Sequence, residues 1–204
     1  MRGRRRSRRR ATGGPALSAV LATLLLSVAA TTGWPLELAT VLENTTVTPP
    51  ARVQFREERH NSMLSQPLVL TGYLEYLEEG RLRKVVETPF SESFLVDGDR
   101  IEFSRDGQVR SVSLGRSKAL QSMLGGIEAI LAGRTDELSA VFDYELSGTA
   151  TAWTLQLKPR SRRLSEQLHG LQVSGDELAV TSIRFDLKDD EWHLLEILED
   201  NPGQ

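Results

Sequence analysis

The sequence predicts a mainly β protein with an α-helical insert, an α+β fold, on three observations. Apolar and polar residues alternate with period two over residues 52–114, the period changes to 3.6 between Ser117 and Phe142, and period two then returns as far as Leu198. A meander, an inserted helical pair and a returning set of strands fit an incomplete antiparallel β-barrel of about eleven strands. Its open side is covered by the helices, and its concave face is expected to be apolar.

Taken in order, LELATVLE (36–43) has Leu36, Leu38, Ala39 and Leu42 at helical spacing and predicts a short first helix. The Thr- and Pro-rich stretch Asn44 to Pro50 is a turn into the body of the domain. VQFREERH, ending at His60, alternates from Val53 and Phe55 into charge, as a half-buried strand does. PLVLTGYLEYL (67–77) is the strongest strand, with Leu68, Leu70, Gly72, Leu74 and Tyr76 on one face. Glu79-Gly80 turns it into RLRKVVETPF (81–90), forming a hairpin. Asp97-Gly98-Asp99 and Asp106-Gly107 separate SFLV, RIEF and VRSVSL, and Asp-Gly between alternating runs is a hairpin signal because both residues tolerate positive φ.

Leu120, Met123, Leu124, Ile127 and Leu131 then recur at helical spacing, with Ser117 as cap and Gly133 as stop. Gly125-Gly126 inside that helix costs about 1 kcal/mol per residue relative to alanine, so it marks a kink, a break or a close backbone approach. TDELSAVF (135–142) predicts a second helix with Thr135 as cap and acids in its first turn. DYELSG and TAWTLQLKP are strands, the latter with Trp153, Leu155 and Leu157 on one face. RSRRLSEQLHG (160–170) predicts a short helix or helical turn with Leu164 and Leu168 inward and Gly170 as its end. LQVSG, ELAVTSIRFDL and EWHLLEIL complete the set, with turns at Gly175-Asp176 and Asp189-Asp190.

The first thirty residues have a different character. Seven arginines within the first ten residues precede an apolar run from Ala16 to Ala30, the pattern of a secretory signal peptide. A run of about 15 apolar residues is short of the about 20 that a spanning helix needs. Val28 and Ala30 suit signal peptidase, predicting cleavage after Ala30 and a single domain over 31–204. The hydrophobic pair of a twin-arginine signal does not follow Ser7-Arg8-Arg9, which favours the plain secretory route. The absence of cysteine excludes a disulfide or an N-terminal lipid anchor. Seven of the 25 bases and none of the 28 acids lie in that leader, so the mature chain carries 18 bases against 28 acids, a net charge of −10. Such a charge argues against nucleic acid and anionic membranes as main partners.

The chemistry legible in the sequence is sparse. Cysteine catalysis is excluded, and His60, His169 and His193 have neither metal-ligand spacing nor a neighbouring nucleophile. Glu57-Glu58, Glu78-Glu79 and Asp189-Asp190 fall at expected strand ends or turns, where solvated charge is ordinary. Asp97-Gly98-Asp99 lacks the remaining ligands of a calcium loop. Arg160, Arg162 and Arg163 could meet an anionic lipid head or an acidic partner patch, against the plainer account of a solvated helix face. No catalytic residue, metal or cofactor is expected. What remains is apolar: a curled sheet and a Leu-, Met- and Ile-rich helical pair, serving either as ordinary core or as the walls of an acyl-chain cavity.

The order of these parts, from VQFREERH through PLVLTGYLEYLEEGRLRKVVETPF, FLVDGDRIEF, the helical pair 117–142 and TAWTLQLKP to the last strands, resembles the LolA family over residues 36–198. Members are periplasmic carriers that take lipoproteins from the inner to the outer membrane. The resemblance implies an unclosed barrel with a helical lid, an inner-membrane transporter as donor and an outer-membrane acceptor. Classical members carry an Arg-Pro pair that helps hold the lid. Glu78-Glu79-Gly80 stands there in this chain, which places it with the LolA-related branch, whose members carry other lipids or acylated products. The expectation is a monomeric, non-enzymatic lipid carrier. Its site residues are Phe55, Leu68, Leu70, Leu74, Tyr76, Phe94, Phe103, Trp153 and Leu155 on strands, with Met123, Leu124, Ile127 and Phe142 from the lid. The alternative is a protein-binding or structural module of the envelope with a filled core. An enzyme would need a polar cluster inside the cavity, which the sequence does not advertise.

Overall fold

The structure is a computed structural model and describes residues 36–198; the leader and its predicted cleavage site lie outside the described residues. Helix α1 (Leu38–Asn44) precedes the strands β1 (Ala51–His60), β2 (Leu68–Glu78), β3 (Arg81–Thr88), β4 (Glu92–Asp97), β5 (Arg100–Arg105) and β6 (Gln108–Ser113). Helices α2 (Lys118–Leu131) and α3 (Thr135–Val141) follow. Then come β7 (Phe142–Thr149), β8 (Ala152–Pro159), the single-turn helix α4 (Arg162–Ser165), β9 (Leu168–Gly175), β10 (Val180–Leu187) and β11 (Trp192–Leu198).

All eleven strands form one antiparallel sheet in the order β6-β5-β4-β3-β2-β1-β11-β10-β9-β8-β7. Two meanders are therefore joined through the first and last strands, with Phe55 opposite Ile197 and Glu57 opposite Leu195. The sheet does not close: β6 and β7 are its two edges, and the helical insert is the chain that connects them. Eleven strands exceed the about ten at which twisted open sheets usually curl or split.

One face of the sheet collects the apolar half of every alternation. Register puts Phe55 beside Gly72, Gly72 beside Val86, Phe94 beside Phe103, and Leu155 beside both Val173 and Leu146. Two clusters fill this inner face. The larger joins α1, α2, α3 and α4 to Phe142, Trp153, Leu155, Leu157, Leu171 and Val173; the smaller is Phe55, Leu70, Val86 and Leu195. The Trp153 indole donates to the Asp176 carbonyl at 2.5 Å, so its buried N–H is satisfied.

Turn chemistry behaves as the sequence suggests at Asp106 and Gly107, whose φ values of 50° and 76° are the two positive angles that a tight hairpin needs. Two expectations are corrected. Of the short helix or helical turn expected over 160–170, a single turn forms, Arg162–Ser165, capped by the Ser161 side chain; it stops short of Gly170 because Leu168 and Gly170 are taken into the β9 ladder opposite Leu187 and Asp186. Leu164 and Leu168 still point inward, at 2% and 1% exposure. Thr135 is the first helical residue of α3 rather than its cap; Arg134 holds the cap position and makes no side-chain cap hydrogen bond.

The double glycine does not break α2, which is continuous from Lys118 to Leu131. It is a close approach. A Cβ on Gly126 would meet the Phe142 ring at 2.4 Å, whereas one on Gly125 would meet nothing within 4 Å. The two neighbours therefore respond in opposite directions to the same substitution. Gly126→Ala should destabilise by about 1–3 kcal/mol, since Phe142 is fully buried and has no room to retreat. Gly125→Ala should stabilise by about 0.5–1 kcal/mol through helix propensity. Urea unfolding of the two variants checks both signs; equal shifts would contradict this packing.

Candidate functional site

The inner face is the candidate site, and strand register decides what lies on it. The nine strand residues predicted for the site, Phe55, Leu68, Leu70, Leu74, Tyr76, Phe94, Phe103, Trp153 and Leu155, share this face. Phe142, expected on the second lid helix, is instead the first residue of β7 and lies there too, because α3 ends at Val141 and Phe142 enters the ladder opposite Pro159. They divide by exposure. Phe55, Leu70, Tyr76, Phe142, Trp153 and Leu155 are buried, and Phe142, Trp153 and Leu155 belong to the core beneath the helices. A ligand meets those three only if the helices shift. Leu68, Leu74, Phe94 and Phe103 are half-buried, and the Phe94 and Phe103 rings pack 4.9 Å apart.

Helix α2 presents two adjacent apolar stripes. Ala119, Met123, Gly126 and Ile130 follow helical spacing on the side that meets the core. Leu120, Leu124, Ile127 and Leu131 lie one step round the helix and are half-buried. Of the predicted lid residues, Met123 thus packs into the core, while Leu124 and Ile127 belong to the less covered stripe.

The α2–α3 connection is tied to the sheet by charge at the β2–β3 turn. Arg134, in the α2–α3 connection, reaches Glu79 at the β2–β3 turn at 2.8 Å and also Glu137 at 2.9 Å. Glu79 is 73% exposed, and exposed pairs are worth about 0–1 kcal/mol, so the tie is weak enough to open. Arg160 and Arg162 of the basic cluster pair with Asp143 and Glu166 on the surface. That is the solvated reading of those arginines.

The same inner face carries a charged cluster that the sequence does not advertise. Glu57, expected at a solvated strand end, is 2% exposed and lies between Leu70 and Leu195 in the ladder. Lys84 Nζ stands 2.5 Å from Glu57 Oε2, and Arg59 Nε stands 3.2 Å from Oε1. His193 Nδ1 is 3.6 Å from the same Oε1. Glu92, 6% exposed, pairs with Arg105 at 3.0 Å further along the face.

Burial opposes ionisation of Glu57, but Lys84 and Arg59 outweigh it and hold the carboxyl below its ordinary value. Burial pushes the Lys84 ammonium down, with Glu57 pulling the other way. Burial, reinforced by Arg59, pushes His193 down to about 4, so its imidazole is neutral at pH 7. A further groove of about 570 Å³ involves the other face of the sheet. Its lining mixes Tyr73, Val85 and Leu95 with Arg83 and Glu102, a poorer match to an acyl chain than the inner face.

An open antiparallel sheet, apolar on the face its helices cover and carrying buried ions there, defines a protein built around that face. The chain belongs to the LolA-like family of outer membrane lipoprotein carrier proteins, whose family model matches residues 30–191. Among solved structures, it is similar to a LolA superfamily protein from Nitrosomonas europaea at TM-score 0.45 and 11% identity, covering 79% of this chain and 90% of that one. It is also similar to the MucA/MucB complex of Pseudomonas aeruginosa at TM-score 0.39 and 11% identity, covering 78% of this chain and 55% of that one. LprF from Mycobacterium bovis follows at TM-score 0.35 and 12% identity, covering 79% of this chain and 91% of that one. No curated protein matches the sequence. No helix among the described residues is long and apolar enough to cross a membrane.

Proposed function

We propose that this protein is a soluble periplasmic carrier that shelters the acyl chains of a lipoprotein or other lipid and ferries them from the inner to the outer membrane. Membership of the LolA-like family supports a lipid- or lipoprotein-binding protein of the envelope. The observation that carries the reading is the inner face itself. Phe94 and Phe103 on strands, together with Leu124 and Ile127 on α2, stay half-buried outside both core clusters, while half-buried Leu68 and Leu74 pack against the edge of the smaller one. Each methylene that leaves water for such a face gains about 0.8 kcal/mol, so binding needs no covalent step.

A leader cleaved after Ala30 would release the domain between the membranes. An inner-membrane transporter would load it and an outer-membrane acceptor would unload it, with the weak Glu79–Arg134 tie giving way as the helices move. Native mass spectrometry of the protein purified from an export-competent host should show a co-purified lipid. The stripped protein should take up a fluorescent fatty acid saturably. Failure of both would favour an envelope module with a filled core that binds proteins instead.

A further inference from the structure

The charged cluster on the inner face is unevenly satisfied. Glu57 is surrounded: Oε1 faces Arg59 and His193, and Oε2 accepts from Lys84 and Arg59. The bases have donors to spare. Lys84 spends one of its three N–H groups on Glu57, and Arg59 donates to Glu57 through Nη2 with Nε in ion-pair contact only, leaving Nη1 without a partner among the described residues. Across β1–β5 and β11 the inner face carries Arg59, Lys84 and Arg105 against Glu57 and Glu92, an excess of one positive charge in a chain whose acids outnumber its bases by 28 to 25. The spare donors are within reach of a ligand, since the side chains of Lys84 and Arg59 are 21% and 25% exposed. Half-buried Phe94 is the cross-strand neighbour of Lys84, Leu74 is its neighbour on the other side, and Leu68 is the neighbour of Arg59.

We propose that Lys84 and Arg59 seat the anionic head of an acyl ligand, with its chain running over Leu74, Phe94 and Phe103. This assignment rests on the carrier reading and adds to it the class of cargo: an acyl chain ending in a carboxylate or phosphate rather than a neutral lipid. Glu57 sets the position of both cations, and the ligand anion takes the donors it leaves over. A buried ion cluster costs more than apolar packing of the same volume, so its presence on a face meant for acyl chains is explained by a charged guest. Burial also holds Lys84 below its ordinary value, a tendency that a second anion would relieve.

The test compares [1-13C]oleate, oleyl alcohol and dioleoyl phosphatidate binding to the wild-type protein and to the combined variant Glu57→Gln, Arg59→Gln, Lys84→Met, which leaves no lone buried charge. Circular dichroism confirms that the variant is folded. The proposal expects the wild type to hold oleate or phosphatidate more tightly than oleyl alcohol, and the variant to lose about tenfold for the anion alone. In the wild type, the bound oleate carboxyl resonance should titrate below its position in free micelles, a readout that needs no variant. Preference for phosphatidate over oleate would identify a phosphate head and still support the site. Equal affinity for oleate and oleyl alcohol in both proteins would overturn the head-group assignment and leave the carrier reading standing. Binding of none of the three by the wild type would overturn both.

Discussion

Lys84→Met should lower stability at pH 7 by about 3 kcal/mol, the low end for breaking a buried ion pair, and adding Glu57→Gln should restore most of it. The cost arises on the partner. Glu57 keeps 3% of its side-chain surface, so a carboxylate that loses the ammonium 2.5 Å away has no water to turn to and must rely on Arg59 alone. Neutralising that carboxylate removes the unpaired charge, while Arg59, 25% exposed, can solvate its guanidinium. Urea unfolding of the wild type, both single variants and the double variant completes the cycle. A Lys84→Met protein within about 0.5 kcal/mol of wild type, the range of ordinary surface substitutions, would mean that Glu57 is not sealed as the structure places it.

The same cluster marks the boundary of what the sequence reveals. Period two suffices to put the nine apolar strand positions of the candidate site on one face, because the side-chain period of a strand is fixed and needs no knowledge of its neighbours, whereas Phe142 reads as the end of a helix and enters β7 instead. Helical spacing likewise located α2 and α3, and Ser117 does accept a hydrogen bond from the Leu120 amide as cap. The buried ions follow the same alternation: Glu57 and Arg59 continue the phase of Phe55, and Lys84 lies between Leu82 and Val86. That phase was the available signal. Whether such a charge is wet or sealed depends on the strands beside it, and Glu57 is sealed by Leu70 and Leu195, the second of which lies far along the chain. The pairing of β1 with β11 is a tertiary fact with no local signature. Gly126 illustrates the same limit, since only the approach of Phe142 distinguishes it from Gly125.

Stability should also fall between pH 6.5 and pH 5, before ordinary carboxylates titrate, and His193 is the cause. On the inner face it lies between Arg59 of β1 and Phe185 of β10, with Glu57 near its ring nitrogen. Its folded pKa of about 4 lies below the ordinary value of 6.5. Above pH 6.5 the imidazole is neutral in both states and contributes no pH dependence. As pH falls below 6.5, the unfolded chain takes up a proton that the folded protein refuses, so unfolding is favoured until the folded imidazole also protonates near 4. The full loss would be about 3 kcal/mol, with about 2 kcal/mol reached by pH 5, and solvent reaching the side chain, 28% exposed, trims both figures. Glu57 acts in the same direction but in a lower window: its folded carboxyl lies below the ordinary 4.5, so its stabilisation is complete above that value and is lost only as pH falls beneath it. His193→Gln keeps a polar group beside Glu57 and removes the titration. The variant should therefore hold its urea midpoint between pH 6.5 and 5 while the wild type loses stability. Parallel losses in the two proteins over that interval would assign the acid sensitivity to another group and remove His193 from the account.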